Sequence, residues 1–568
     1  MKQQITITWQ QNGREYTQSC TPGLRLEQLK PDVLLPNAEE QSANRSPIVG
    51  AIVNNLLKDL NYPLYCSSEI EWLEATSPMG SRIVHNSLAL LLSAAAAELF
   101  PKHQLTVMHS LRYGRFCRLA EDGSSRPLAA SDIARIEKRM KELAKANLPI
   151  RKDIINKNEG IGYFKACGDF AKAQTLYKIP DKQATLYSIG NHTRQMFSKL
   201  VPSTGYLEKF SLCPFEDGFI LTDYYNTPSD LRNKNQLAYP KSLNATLDNY
   251  SKWSNMQNIN YCSDLNRYVE KNDFHSLVIM SEARQERNLQ HIADQIFQKF
   301  PTVRLVLIAG PSSSGKTSFC NRLAIELRNQ GLRPITLSMD NYFLNNADTP
   351  PGPDGQPDFE SVTAIDTTLF NQHLLQLISG QPVEMPVFDF KTGTRSERTI
   401  PVELGENNIL LVEGIHGINE ALTKDIPAAN KLKIYISCMT TLSLDNLMPI
   451  STSDNREIRR LVRDVKFRNI SAEKTLLTWN KVRNGEEKNI FPFQDAADYY
   501  FNTSLIYEFS LLAPMIIPHL LAIPEISPAY PEARRLLKLA NCFVPADPKA
   551  VPAYSLLQEF LGESVFEV

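Results

Sequence analysis

The stretch from Leu305 to Cys320, LVLIAGPSSSGKTSFC, joins an apolar run to a glycine-bounded loop and then to a helical pattern. An apolar run this short, without alternation, predicts a strand buried on both faces, as in a parallel sheet covered by helices. Gly310-Pro311-Ser312-Ser313-Ser314-Gly315-Lys316-Thr317 matches GxxxxGK[ST] at every fixed position. The glycines let backbone N–H groups converge on phosphate oxygens, the lysine reaches the β- and γ-phosphates, and the threonine hydroxyl holds Mg²⁺. With Ser318 continuing the cradle, this loop predicts a site for the phosphates of a nucleotide and Mg²⁺.

The residues after Arg304 read as α/β. Short apolar runs (304–309, 333–338, 408–412, 432–437) alternate with helical patterns (317–330, 367–379, 456–467), which predicts a mainly parallel sheet. Two of these strands end in carboxylates. NNILLVEGIHG delivers Glu413, placed to assist the metal, and ITLSMDNYF delivers Asp340. Strand ends of a doubly wound sheet share one rim, so Asp340 is placed beside the γ-phosphate, where it would accept the proton of an attacking hydroxyl. A guanine-reading NKxD element is not found after the cradle, since NKVR at Asn480 lacks the aspartate, and a glycine after Glu413 departs from the Asp-Glu strand end of motor ATPases. Arg456, Arg459, Arg460 and Arg463 recur at i, i+3, i+4 and i+7, with Arg468 close behind. That spacing predicts one helix face of guanidinium groups, suited to bidentate phosphate contacts in a closing lid.

Elsewhere the sequence is less specific. Its 568 residues allow several domains, and a net charge of −1 points to no nucleic-acid or membrane coat. Nine dispersed cysteines without a CxxC pair fit a reducing compartment better than a disulfide framework. The opening MKQQITITWQQNG alternates like a strand instead of forming an apolar leader. The longest apolar run, SLALLLSAAAAELF, is shorter than the roughly 20 residues a bilayer requires, so a buried helix in a cytoplasmic protein is expected. Patterning divides the chain into a small β-rich module at 1–73, an α+β domain at 74–239, a polar linker at 240–280 and the α/β domain at 281–568.

In combination, GPSSSGKT, LSMDNYF, PVFDF, LVEGIHGIN and STSDNREIRRLVRDVKFR resemble the uridine kinase and phosphoribulokinase family of P-loop kinases. The resemblance implies ATP-dependent phosphorylation of the 5′-hydroxyl of a nucleoside, most plausibly uridine or cytidine. It assigns Asp340 as catalytic base, Lys316 and Arg463 to catalysis, and Thr317 and Glu413 to the metal. Arg460, Arg463 and Arg468 would serve the lid and substrate. Tyr342, Phe359, Glu360, Phe388 and Phe390 would line the nucleoside site. Two positions depart from uridine kinases: Glu360 stands where Asp grips the ribose hydroxyls, and Gly393 stands where a histidine reads the base.

The N-terminal half resembles other proteins. PIVGAIVNNLLKDLNYPL is similar to a TGS module, a small β-grasp domain. VHNSLALLLSAAAAELFP with GNHTRQMFSKLVPSTGYLEKFSL is similar to the additional domain of threonyl-tRNA synthetases. The HxxxH and CxxxH pairs that edit mischarged tRNA there survive only by half, because His85 is followed by Ala89 and His192 preceded by Ser188. His85, His192 and His109 are therefore expected to be structural. An RNA-associated nucleotide-dependent regulator and a kinase of another hydroxylated metabolite stay open beside the nucleoside kinase, as does homo-oligomerisation.

Overall fold

The computed structural model describes every residue except 1–3, 12–13, 32–45, 112–113, 122–127, 228–240, 353–354, 356–357, 390–391 and 567–568. Strands β1 (Ile5–Gln11), β2 (Arg14–Cys20), β3 (Ile48–Val53), β4 (Leu56–Lys58) and β5 (Ser68–Glu74) form a mixed sheet in the order β2-β1-β5-β3-β4. Alternation in ITITW sends Ile5, Ile7 and Trp9 inward, where they meet Leu26 and Leu29 of helix α1 (Leu26–Leu29).

Helix α2 (Pro78–Leu99) starts at Ser77, whose hydroxyl accepts the Gly80 N–H at 3.2 Å. Its residues from Leu88 to Ala96 are buried, as an all-round apolar helix requires. An antiparallel sheet in the order β11-β12-β7-β6 packs on it, built from β6 (His103–Leu111), β7 (Gly114–Glu121), β11 (Phe210–Phe215) and β12 (Gly218–Asp223). Helix α3 (Ala130–Lys145) lies between β7 and a second sheet, β10-β9-β8, made of β8 (Ile150–Asn156), β9 (Gln183–Ile189) and β10 (His192–Gln195). Helices α4 (Lys157–Ala166) and α5 (Phe170–Lys178) fill the connection from β8 to β9.

The expected linker is largely helical. Residues 241–280 form α6 (Lys241–Met256), α7 (Cys262–Glu270) and the start of α8 (Phe274–Lys299). Asn244, Leu247, Ser251 and Ser254 of α6 are buried at spacings of three and four. This inward face is made mostly of small polar side chains, so a scan for apolar periodicity does not find it.

The α/β architecture expected after Arg304 is present. Strands β13 (Leu305–Ala309), β14 (Arg333–Ser338), β17 (Asn408–Glu413), β18 (Lys431–Ser437) and β21 (Tyr499–Asn502) form an all-parallel sheet in the order β14-β17-β13-β18-β21. Every residue of β13 is buried. Helix α9 (Lys316–Asn329) and α8 cover one face, and α10 (Thr367–Ile378) covers the other above the hairpin β15 (Val383–Asp389) and β16 (Thr394–Val402). The ribbon β19 (Ser443–Asp445) and β20 (Met448–Pro449) leads to α11 (Thr452–Phe467) and α12 (Ala472–Asn489). Helices α13 (Phe509–Leu521), α14 (Tyr530–Ala540) and α15 (Gln558–Leu561) complete a core shared with α7, α8 and α11. Because β13 lies between β17 and β18, the crossovers diverge at its C-terminal end, where ligands bind in open α/β sheets.

The two halves are tied together. The Val107 N–H donates to the Asn446 carbonyl at 2.7 Å, Arg82 pairs with Glu532 at 2.9 Å, and buried Lys172 pairs with Asp445. No disulfide is formed among the described residues. Among the described residues no helix is long and apolar enough to cross a membrane.

Candidate active site

Backbone constraints shape the loop between β13 and α9. A Cβ at Gly310 would stand 2.2 Å from the Ile436 carbonyl oxygen, so the chain passes β18 only with glycine there. Gly315 and Ser313 both have left-handed φ, +84° and +59°, which turns successive N–H groups into a concave nest. The Lys316 ammonium donates to the carbonyls of Gly310 at 3.0 Å and Pro311 at 3.3 Å, spanning the loop. The hydroxyls of Ser313 and Ser314 are buried with no hydrogen-bond partner among the described residues. Buried donors are rarely left so, and a nest with spare donors and a lysine across its mouth suits a polyphosphate.

Strand register sets the carboxylates beside it. Glu413 pairs across the sheet with Ile308 and with Ser338, so Gly310, Asp340 and Glu413 all follow the same rim. Both carboxylates are half-buried. Burial raises the pKa of Asp340, opposed by Lys316 and Arg468. Burial, then the charge of Asp340, pushes Glu413 up to about 7, against the pull of Lys316 and a hydrogen bond from Ser338. A carboxylate such as Glu413 on this rim is the kind of donor that would hold a hard cation drawing its other ligands from phosphate and water. Asp340, with raised proton affinity, suits a proton acceptor.

The four arginines of α11 do not act as one face. Arg456 is buried and forks onto Glu486 of α12, while its Nε donates to the Ser312 carbonyl at 2.9 Å. Arg459 is buried against Glu508 at 2.6 Å and donates to the Thr503 carbonyl at 2.9 Å. The Thr503 hydroxyl in turn donates to the Ser314 carbonyl at 2.6 Å. These two guanidiniums brace the loop from behind, because each is matched to a buried carboxylate that holds it there. Arg460 reaches the cradle, donating to the Ser312 hydroxyl at 3.0 Å. Arg463 donates to Asp464 at 2.9 Å, and Arg468 is exposed but close enough to act on Asp340.

Of the aromatics expected to line a nucleoside site, Phe359 meets the Phe343 ring at 5.9 Å and Phe388 meets it at 5.7 Å, both edge-on. Phe343 was not expected there, although it follows Tyr342 directly. Phe390 lies outside the described residues. Tyr342 departs from expectation: it is fully buried, and its hydroxyl bonds to His373 at 3.0 Å in the core under α10. Gly393 is left-handed at φ +68°, and a Cβ there would lie 2.0 Å from the Asn346 amide nitrogen. A histidine there would be strained and would have to displace the Asn346 side chain, which fills the space.

Glu360 is half-buried, and burial, then the charge of Glu486, pushes it up to about 7. It sits against Gly485, where a Cβ would stand 2.4 Å from the Glu360 Cβ. A glycine inside α12 costs about 1 kcal/mol relative to alanine, and this approach explains it. Gly485→Ala is expected to displace Glu360, raising the acceptor KM severalfold while the KM for ATP stays unchanged; equal effects on both would show a general distortion.

Three acids at the loop carry no signal in the local sequence. Glu486 accepts the Ser312 N–H at 3.2 Å as well as Arg456, Glu508 holds Arg459, and Glu559 of α15 accepts the Ser318 hydroxyl at 2.8 Å. None carries a local motif; each arrives from a distant helix.

Residues 305–505 match the model of the phosphoribulokinase / uridine kinase family. The match takes in the cradle, Asp340, Glu413 and the arginine helix, and makes this segment a P-loop kinase domain. Two solved structures are also similar. The chain is 24% identical to a possible uridine kinase from Bacillus stearothermophilus, covering 27% of this chain and 80% of that one at a TM-score of 0.23. It is 17% identical to D-glycerate 3-kinase from Cryptococcus neoformans, covering 44% and 87% at 0.21. Scores this low do not relate the whole chains. The N-terminal part matches threonine–tRNA ligases: 34% identity over 161 residues with that of Nitrosomonas eutropha and 33% over 177 with that of Rickettsia canadensis. Those alignments cover 28% and 31% of this chain, and the chain spans about a quarter of each ligase, 25% and 27%.

In that part the half-pairs are absorbed into the fold. His85 lies 3.3 Å from the Ser81 hydroxyl and 3.7 Å from buried Asp223, and His192 bonds to Ser93 at 2.8 Å. Burial, with nearby arginines, lowers the pKa of His85 to about 3 and of His192 to about 4.

Proposed function

We propose that the kinase domain transfers the γ-phosphoryl group of ATP to a small-molecule hydroxyl, the 5′-hydroxyl of a nucleoside such as uridine or cytidine. The observation that carries this reading is the pair Asp340 and Glu413, brought by register to the rim beside Lys316. A nucleotide-dependent switch needs no such proton acceptor. Lys316 and the loop amides hold the phosphates. Thr317 and Glu413 would hold Mg²⁺, which neutralises phosphate charge when bound. Asp340 takes the acceptor's proton as its oxygen forms the new P–O bond and the bond to ADP breaks. Arg460, with Arg463 and Arg468 on the same lid, stabilises the transferring group. The three phenylalanines supply the apolar wall for a base, and Glu360 accepts from ribose hydroxyls.

The deciding experiment incubates the full chain with Mg·ATP and a panel of nucleosides and sugar phosphates, and identifies the product. A nucleoside 5′-monophosphate is expected; phosphorylation confined to sugar phosphates would overturn the acceptor. Glu360 gives a pH signature. Its folded pKa lies above the ordinary carboxylate value, so the ionised form that accepts two hydroxyls is populated only as pH rises through about 7. The nucleoside KM is expected to fall between about pH 6 and 8, and Glu360→Gln to flatten that dependence. An unchanged slope in the variant would remove Glu360 from the ribose site.

The likeness to threonine–tRNA ligases favours a second reading, in which the N-terminal part associates with RNA. Filter binding of tRNA across a salt series tests it, since phosphate contacts weaken steeply with salt. Division into units at 1–73, 74–239 and 281–568, with the kinase in the last, belongs to the same proposal, as does a cytoplasmic setting.

A further inference from the structure

A cavity of about 460 Å³ lies between the sheet of β6 and β7 and helix α6, away from the cradle. Strand alternation builds its floor. Leu105 and Val107 of β6, with Cys117 and Leu119 of β7, face the core, so Thr106, paired across the strands with Arg118, and Gln104, paired with Ala120, face the opposite way and line the cavity. The register slips between Val107 and His109, and this bulge lets both Met108 and His109 turn toward the cavity, although they are sequence neighbours. The roof is the small-polar face of α6, including Ser251 and Ser254, with Tyr261 beside it. Thr441, between β18 and β19 of the kinase domain, closes one wall. Both halves of the chain thus contribute.

The lining limits what fits. Arg118 is neutralised by Asp217 at 2.8 Å and Asp248 at 2.5 Å, and Glu121 stands nearby, so a phosphate is disfavoured. His109 is held by Asn244 at 3.0 Å, and burial keeps it neutral. The remaining polar groups are hydroxyls and amides, and the flat or soft surfaces are Tyr261, His109 and Met108. Volume, neutrality and this mixture suit one uncharged molecule with a flat ring and several hydroxyls.

We propose that this cavity is a second ligand site, for a neutral nucleoside, shared between the N-terminal half and the kinase domain. Calorimetric titration with uridine, cytidine, adenosine and guanosine tests it on the full chain carrying Glu360→Gln and Phe388→Ala, which cripple the acceptor site. One binding event is expected to persist there. Adding Ala120→Trp, which fills the cavity, should abolish it, with ATP binding reporting that the chain has folded. Thr106→Val should weaken the event about three- to tenfold, the range of one net hydrogen bond. No binding of any of the four nucleosides at millimolar concentration, or binding that survives Ala120→Trp, overturns the site, and equal binding of free ribose overturns the base. The outcome is independent of whether the kinase accepts nucleosides, because it is read with the acceptor site disabled.

Discussion

Asp340→Asn is expected to lower kcat roughly 10²- to 10⁴-fold, about 3 to 5 kcal/mol of barrier, while ATP binding is retained. The amide keeps the shape and removes the proton acceptor. The same change should leave the protein at least as stable. Asp340 and Glu413 are both half-buried, the charge of Asp340 raises the cost of ionising Glu413, and the variant relieves that repulsion. Thermal unfolding and ATP titration distinguish this from a folding defect. Unchanged turnover would sink the base assignment, and a large loss of stability would show a structural role for Asp340.

Glu508→Ala is expected to be the most destabilising single change considered, by about 3 to 5 kcal/mol, because it leaves Arg459 charged and buried without its partner. It also removes the acceptor for the Asn455 amide at 2.8 Å. Replacing both members, Arg459→Met with Glu508→Leu, should recover much of the loss, since an apolar pair pays no desolvation. The effect should reach the nucleotide as well. Arg459 grips the Thr503 carbonyl and Thr503 grips that of Ser314, so ATP affinity should fall with stability. Urea unfolding read beside ATP binding checks both; a stability change under about 1 kcal/mol would show that the pair is not buried in solution.

The cradle, the two strand-end carboxylates and the parallel sheet were legible because each is local. A glycine-bounded loop needs only its own backbone dihedrals, and a strand covered on both faces announces itself as a continuous apolar run. The arginine helix was legible as a helix but not as a division of labour. Arg456 and Arg459 are distinguished from Arg460 and Arg463 only by Glu486 and Glu508, which arrive 30 and 49 residues later in the chain. Helix α6 escaped notice for a related reason. Its buried face is Asn and Ser, whose burial is tolerable only because partners such as His109 come from another sheet.

Sequence by itself determined that a polyphosphate cradle opens a parallel α/β domain and that Asp340 and Glu413 end its strands. Only the tertiary structure decided which arginines brace the cradle and which face it, that Tyr342 turns into the core, that Gly393 leaves its place to Asn346, and that a polar cavity joins the two halves. Short-range backbone preference settles the former, whereas the latter depend on which distant charges and side chains pay the cost of burial.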